Sequence, residues 1–416
     1  MNVYLEVYGC TANKSDARIV KGIIDQHPSY QFVKGIEEAD IFIILTCTVI
    51  NTTEQRMISR IKQFQQNNKK LIIAGCMASV QKKLLKDLFP KAILVSPRDV
   101  HQIINRIEQR PNDEQSKKYD APKRLNTIIT PISIAEGCQY HCSYCITCKA
   151  RGSLCSYPEN FIYADVKTAI TQESKEIQLT AQDTASYGKD KQTNLGELLE
   201  KLSTIKGRYQ LRVGMMNPRS LQHNLPSILH AFSHPSVYKF LHLPVQSGSN
   251  TILKKMNRGY HVEDFQYLVN TFRNQFPDIV LSTDIIVGFP GETEDQFQSS
   301  IDLIESVKPD IINITRFSAR PQTKAKTLKH RIPTEIVKMR SRTISRIAEQ
   351  ITTEKNNAYI GKTFTVLTTS KKTSGSVISR AQNYKPVVIK KDLLLGEFQQ
   401  VNITDATSGY LIGTLK

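Results

Sequence analysis

The chain has 416 residues, 40% hydrophobic and 23% charged, which is enough for two or three domains with real cores and excludes a disordered polymer. No apolar run approaches the roughly 18 residues that span a bilayer, and the opening MNVYLEVYGC lacks the plan of a secretory leader. No membrane association and a cytoplasmic location are therefore expected. The net charge of +18, from 56 Lys and Arg against 38 Asp and Glu, favours a polyanion partner, because phosphate contacts release counterions.

In chain order, residues 1–110 alternate short apolar runs with polar helical stretches. Strands are predicted over 3–8, 41–45 and 71–74, and helices over 13–26 and 54–66. This βαβ rhythm implies an α/β domain with a parallel sheet. The polar stretch 108–124 reads as a linker. From 124 to 354 the rhythm returns, with strands predicted over 132–135, 176–180, 210–214, 240–243, 280–287 and 311–317. Six such units suggest a closed or nearly closed (β/α) barrel, ended by a helix over 334–355. The remainder, 355–416, holds five short β-rich runs and reads as a small antiparallel β-barrel. It carries nine Lys and Arg against three acids.

The eight cysteines lie in a long chain without an export signal, where clusters bind metal or do chemistry more often than they form disulfides. Cys138, Cys142 and Cys145 have C-x3-C-x2-C spacing just after a predicted strand. Three thiolates on one loop can hold three irons of a cubane and leave the fourth iron open. The competing reading is a structural zinc site with Cys148 as fourth ligand. Cys148 and Cys155 otherwise read as small buried thiols. Cys10, Cys47 and Cys76 are far apart in sequence, yet each follows a predicted parallel strand. Those strand ends share one sheet edge, where ligands bind. A second three-thiolate site is therefore expected, against the alternative of three buried thiols.

With these motifs in place, the chain resembles the radical-SAM methylthiotransferase family. YGCTANKSDAR, LTCTV and AGCMA are similar to its N-terminal domain. GCQYHCSYCITCKARGSLCSYP is similar to the radical-SAM loop of the archaeal and eukaryotic branch that modifies N6-threonylcarbamoyladenosine in tRNA. LTAQDTASYG, HLPVQSGSN, STDIIVGFPGETEDQF and RFSARPQTKA follow in family order, and the C-terminal barrel resembles a TRAM domain.

The resemblance implies two 4Fe–4S clusters, one on Cys138, Cys142 and Cys145 and one on Cys10, Cys47 and Cys76, with S-adenosylmethionine as cofactor. It implies a radical that abstracts hydrogen from C2 of the adenine at position 37, and a methylthio group delivered from the N-terminal site. Tyr144, Gln182, Asp183, His242, Gln246, Asp284, Val287, Gly288 and Arg316 are the expected cofactor-binding residues. Arg151, Arg320, Lys371, Lys372, Arg380, Tyr384 and Lys385 are the expected RNA-binding residues. The expected partners are the tRNA anticodon stem–loop, an electron donor and a sulfur donor. Gln322-Thr323-Lys324 stands where the family often has Gly-Thr-Pro, a departure in a loop near the site. Two alternatives stay open: a methylthiotransferase acting on a ribosomal-protein side chain, and a non-catalytic iron–sulfur RNA-binding sensor.

Overall fold

Ile41–Thr46 is apolar through five of its six residues and buried at every one, as a central parallel strand covered by helices on both faces must be. The computed structural model describes residues 1–49, 51–66, 69–373 and 375–416. The first sheet has five parallel strands in the order Gln31–Phe32, Asn2–Val7, Ile41–Thr46, Lys70–Gly75 and Ile93–Val95. Its register pairs Val7 with Leu45 and Thr46 with Gly75, so the three long strands end level. Ile19, Ile24, Ile43, Leu45 and Ile72 fill one face, and Phe42, Phe64, Ile73 and Leu85 the other.

The six strands expected in the central region form two three-stranded parallel sheets. One runs Ile129–Ser133, Glu176–Thr180, Gln210–Val213; the other runs Phe240–His242, Val280–Val287, Ile311–Arg316. They meet through a bridge between Leu211 and Val237 and through Met216 N–H donating to the His242 carbonyl at 2.9 Å. The result is a partial barrel around one continuous apolar core. Helix Thr11–Gln26 of the first domain lies against the first barrel strand, where the Ser15 and Ser133 hydroxyls are 3.0 Å apart. Helix Thr334–Asn357 lies against the last strand, with Ile344 and Ile351 turned into the core.

The C-terminal unit is a closed barrel of Thr363–Thr373, Ser376–Ala381, Pro386–Ile389, Leu411–Leu415 and Phe398–Ala406. Four of its pairings are antiparallel. The fifth, Pro386–Ile389 with Leu411–Leu415, is parallel, because closing five strands leaves one pair in the same direction.

The stretch 108–124 is not a free linker. Lys118 is buried and ion-paired with Asp16 at 2.7 Å and Glu136 at 2.9 Å. Farther on, a Cβ at Gly22 would stand 2.5 Å from the Lys123 backbone nitrogen. The polar composition that reads as linker here supplies the charge that a buried carboxylate pair needs. Among the described residues no helix is long and apolar enough to cross a membrane.

Candidate active site

The level strand ends bring Cys10, Cys47 and Cys76 to one edge of the first sheet. Cys10 precedes helix Thr11–Gln26, Cys47 follows Ile41–Thr46, and Cys76 opens the short helix Cys76–Val80. Two glycines permit the approach. Gly75, at φ +95°, would place a Cβ 2.6 Å from the Thr46 carbonyl, and Gly9, at φ +103°, would place one 2.9 Å from Cys47 Cβ. Buried Asn13 donates from one amide nitrogen to the Tyr8 carbonyl at 2.7 Å and the Thr46 carbonyl at 2.9 Å, tying together the turns that carry Cys10 and Cys47. Burial pushes the Cys76 thiol up to about 11, with smaller contributions from Cys10 and Cys47. Burial also raises Cys47, with Cys10 adding to it. Cys76 feels both other thiols and Cys47 feels Cys10, which marks their convergence.

The second triplet sits on the loop after Ile129–Ser133, pinned from several sides. Ser143 N–H donates to the Met256 carbonyl at 2.9 Å, Ala325 N–H to the Ser143 carbonyl at 2.8 Å, and Gly137 N–H to Gln182 Oε1 at 2.5 Å. Burial, reinforced by Asp183 and the two neighbouring cysteines, pushes the Cys138 thiol up to about 12. Burial likewise raises Cys142, opposed by Arg258, whose Nη1 donates to Cys142 Sγ at 3.3 Å. Thiols this costly to ionise are poor free nucleophiles. Among the described residues no His, Cys, Asp and Glu side chains stand in the arrangement that holds a single ion. Three thiols on one loop or one sheet edge are the ligand set that holds three irons of a cubane and leaves the fourth open.

Beside the second triplet lies a cavity of about 410 Å³. Tyr144 and Cys145 of the cluster loop, His242, Gln246, Asp284 and Arg316 of the barrel strand ends, and Val49, two residues beyond Cys47, all line it. His242 Nε2 is 3.1 Å from Asp284 Oδ1, and Asn313 donates to the same oxygen at 2.8 Å. Burial acts to raise the Asp284 carboxyl, but these two bonds and the nearby charges of His242 and Arg258 hold it below its ordinary value. The size and the few convergent polar groups suit a nucleoside-sized ligand.

Of the nine expected cofactor-binding residues, Tyr144, His242, Gln246, Asp284 and Arg316 therefore share one cavity. The other four stand elsewhere. Asp183 is buried and its carboxylate is consumed by Ser186, Ser220 and the Asn217 N–H. Gln182 pins Gly137, Val287 points into the barrel core, and Gly288 borders an adjoining cavity of about 310 Å³ that also touches Arg316.

The expected RNA-facing set is corrected more heavily. Arg151 is 2% exposed and pairs with Asp16 at 2.6 Å and Glu136 at 2.8 Å. Arg320 is buried against Glu54 and Thr48 of the first domain. Lys385 is buried on Asn356 and Asp310. Tyr384 packs on Tyr238 and Phe240, with its hydroxyl 3.2 Å from Glu176, and Arg380 stacks over it. Arg151, Arg320 and Lys385 join domains, since a cation without a partner does not stay buried. Tyr384 joins them through Glu176, and Arg320 also lines the cavity beside Cys145. Lys371 and Lys372 remain exposed, the latter 4.1 Å above the Tyr410 ring. Sequence reasoning missed Asn13, Asp16, Lys118, Glu136 and Arg258; the first two lie within YGCTANKSDAR, but no spacing there marks their roles.

Residues 2–96 match the uncharacterized protein family UPF0004, 132–304 the radical SAM superfamily and 357–416 the TRAM domain. A Pyrococcus horikoshii protein named "Probable threonylcarbamoyladenosine tRNA methylthiotransferase" is 38% identical, with 100% of this chain and 99% of the relative covered. An Archaeoglobus fulgidus protein of the same name is 39% identical over the same shares. The Homo sapiens threonylcarbamoyladenosine tRNA methylthiotransferase is 31% identical over 99% of this chain and 73% of its own length. Among solved structures, the radical S-adenosylmethionine methyltransferase TsrM from Kitasatospora setae superposes with a TM-score of 0.57 at 11% identity, covering 78% of this chain and 73% of that one. This last likeness is one of fold.

Proposed function

Because the chain belongs to the threonylcarbamoyladenosine tRNA methylthiotransferase family, we propose that it adds a methylthio group to C2 of N6-threonylcarbamoyladenosine at position 37 of tRNA. It is a radical-SAM enzyme, and that superfamily brings S-adenosylmethionine and one 4Fe–4S cluster. Cys138, Cys142 and Cys145 would hold this cluster. Cys10, Cys47 and Cys76 would hold a second. When bound, the cofactor and the two clusters supply hydrogen abstraction at an unactivated C–H position, a sulfur atom and a methyl group.

The chain's own residues then have definite tasks. Tyr144 and Gln246 shape the cavity wall beside Cys145, and His242, oriented by Asp284, presents a ring of fixed direction. Among the described residues Arg316 pairs with no carboxylate, so its fork is available to the carboxylate of S-adenosylmethionine. Lys371 and Lys372 would meet the phosphates of the anticodon stem–loop. An electron donor and a sulfur donor are required by the chemistry and would act through the open side of the cavity.

The observation that carries this reading is the single cavity bounded both by Cys145 and by the turn that follows Cys47. The test is anaerobic reconstitution with iron and sulfide, then incubation with S-adenosylmethionine, reductant and tRNA bearing the threonylcarbamoyl base. Mass analysis of the digested nucleosides should show the methylthio product for the wild type. It should vanish in Cys142→Ala and in Cys47→Ala. Product from the Cys47→Ala protein with its barrel cluster intact would remove the N-terminal site from the mechanism.

A further inference from the structure

Arg151 lies six residues beyond Cys145, on the short helix Thr147–Arg151 that packs by Ile146 and Ala150 against Cys76 and Val80. Its guanidinium leaves the barrel and enters the first domain. One nitrogen donates to Asn13 Oδ1 at 2.8 Å and to Asp16 Oδ2 at 2.6 Å; another donates to Glu136 Oε1 at 2.8 Å. Asn13 is the residue whose amide nitrogen holds the Tyr8 and Thr46 carbonyls, and so the turns of Cys10 and Cys47. The third cysteine, Cys76, lies under the same helix, packed by Ile146 and Ala150. Arg151 and the helix that carries it thus reach the turns of all three cysteines of the other domain.

The surroundings keep it there. Arg98 Nε donates to the Arg151 carbonyl at 2.8 Å, and Lys118 balances the second charge of the Asp16 and Glu136 pair. Two cations against two carboxylates leave the group neutral overall, as burial requires. Any net negative charge placed on the three thiolates adds to the site exactly where a buried guanidinium points at it.

We propose that Arg151 is the positioning residue of the N-terminal cysteine site: through Asn13, and through its helix packed on Cys76, it assembles the three ligands when the barrel docks, and its charge raises the reduction potential of the cluster they hold. This rests on the second-cluster reading above. A buried cation beside a cluster favours the reduced, more negative state, so its loss shifts the midpoint to more negative potential.

The test uses the full chain, reconstituted anaerobically, in wild type, Arg151→Gln, Arg151→Lys, Asn13→Ser and Lys118→Met forms. Iron per chain is counted, and the N-terminal cluster is titrated by electron paramagnetic resonance with Cys138, Cys142 and Cys145 replaced by Ala. In the intact-cysteine background, Arg151→Gln should lose iron from about eight toward about four per chain, or keep it at a more negative midpoint. Arg151→Lys should lie between Arg151→Gln and wild type. Lys118→Met removes a charge from the same buried group but no bond to Asn13, and should unfold more easily while keeping the wild-type midpoint. If Arg151→Gln does not fold, Asn13→Ser decides, because it cuts the tie to Cys10 and Cys47 without stranding a charge. Eight irons and an unchanged midpoint in both Arg151→Gln and Asn13→Ser would overturn the proposal. So would an equal shift in Lys118→Met, since only docking would then matter. Four irons in the wild type and in a Cys10/Cys47/Cys76→Ala protein alike would instead refute the second cluster itself, and this role with it.

Discussion

Arg258 and Arg316 illustrate two uses of a guanidinium near the same cavity. Arg258 is buried, stacks on Tyr260 and donates to Cys142 Sγ, so its charge is committed to the cluster loop. Arg316 ends its strand exposed, lines the cavity and pairs with no carboxylate among the described residues. A charge-assisted hydrogen bond contributes about 1.5–3 kcal/mol, so Arg316→Ala should weaken S-adenosylmethionine binding by roughly ten- to a hundredfold. Equilibrium binding to the reconstituted enzyme measures this, and an unchanged affinity would assign Arg316 elsewhere. The cysteines were legible at this scale because their spacing and strand-end positions are sequence properties. Arg258 was not, because nothing in its neighbourhood in the chain reveals that Cys142, 116 residues earlier, needs a donor.

Strands and their exits carry the next level of the argument. The parallel strands were legible from apolar runs, most clearly Ile41–Thr46, because a doubly covered strand has no polar face to break the pattern. The short helices Cys76–Val80 and Thr147–Arg151 were not, because five residues hold too little periodicity to register. They form the contact between the two cysteine sites. The turn at Gly75 is equally local and equally demanding. Gly75→Ala combines φ +95° with a Cβ 2.6 Å from the Thr46 carbonyl, and should destabilise the fold by about 1–3 kcal/mol. Denaturant unfolding of the variant checks the magnitude. A change of less than about 0.5 kcal/mol, the scale of a neutral surface substitution, would mean that the strand end has room to move.

Across the whole molecule, buried ion pairs join the parts. Arg320 with Glu54 and Thr48, and Arg151 and Lys118 with Asp16 and Glu136, fasten the first domain to the barrel on two sides. Asp310 holds Lys355 at 2.8 Å and Lys385 at 3.3 Å, and fastens the C-terminal barrel. Breaking one partner of a buried pair leaves an uncompensated charge and costs about 3–5 kcal/mol. Glu54→Gln should therefore loosen the first domain, seen as faster limited proteolysis and a lower Tm. Unaltered proteolysis would show that the other fastening suffices. With so many basic groups consumed internally, exposed Lys371 and Lys372 are the residues proposed to meet tRNA on the C-terminal barrel. Replacing both by Ala should weaken tRNA binding and lower the salt dependence by about one phosphate contact each; an unchanged salt slope would place the RNA on another face.

By itself the sequence determined the α/β character, the three-part organisation, both cysteine triplets and the family, because these depend on periodicity, spacing and residue type. Only the tertiary structure decided which cations are free. Exposure of an arginine or lysine is set by whether a carboxylate distant in the chain meets it on folding, and Asp16, Glu54 and Asp310 meet Arg151, Arg320 and Lys385 from 135, 266 and 75 residues away. Composition records the charge of each partner but not the meeting, and so a surface expected to bind RNA is in large part the seam between domains.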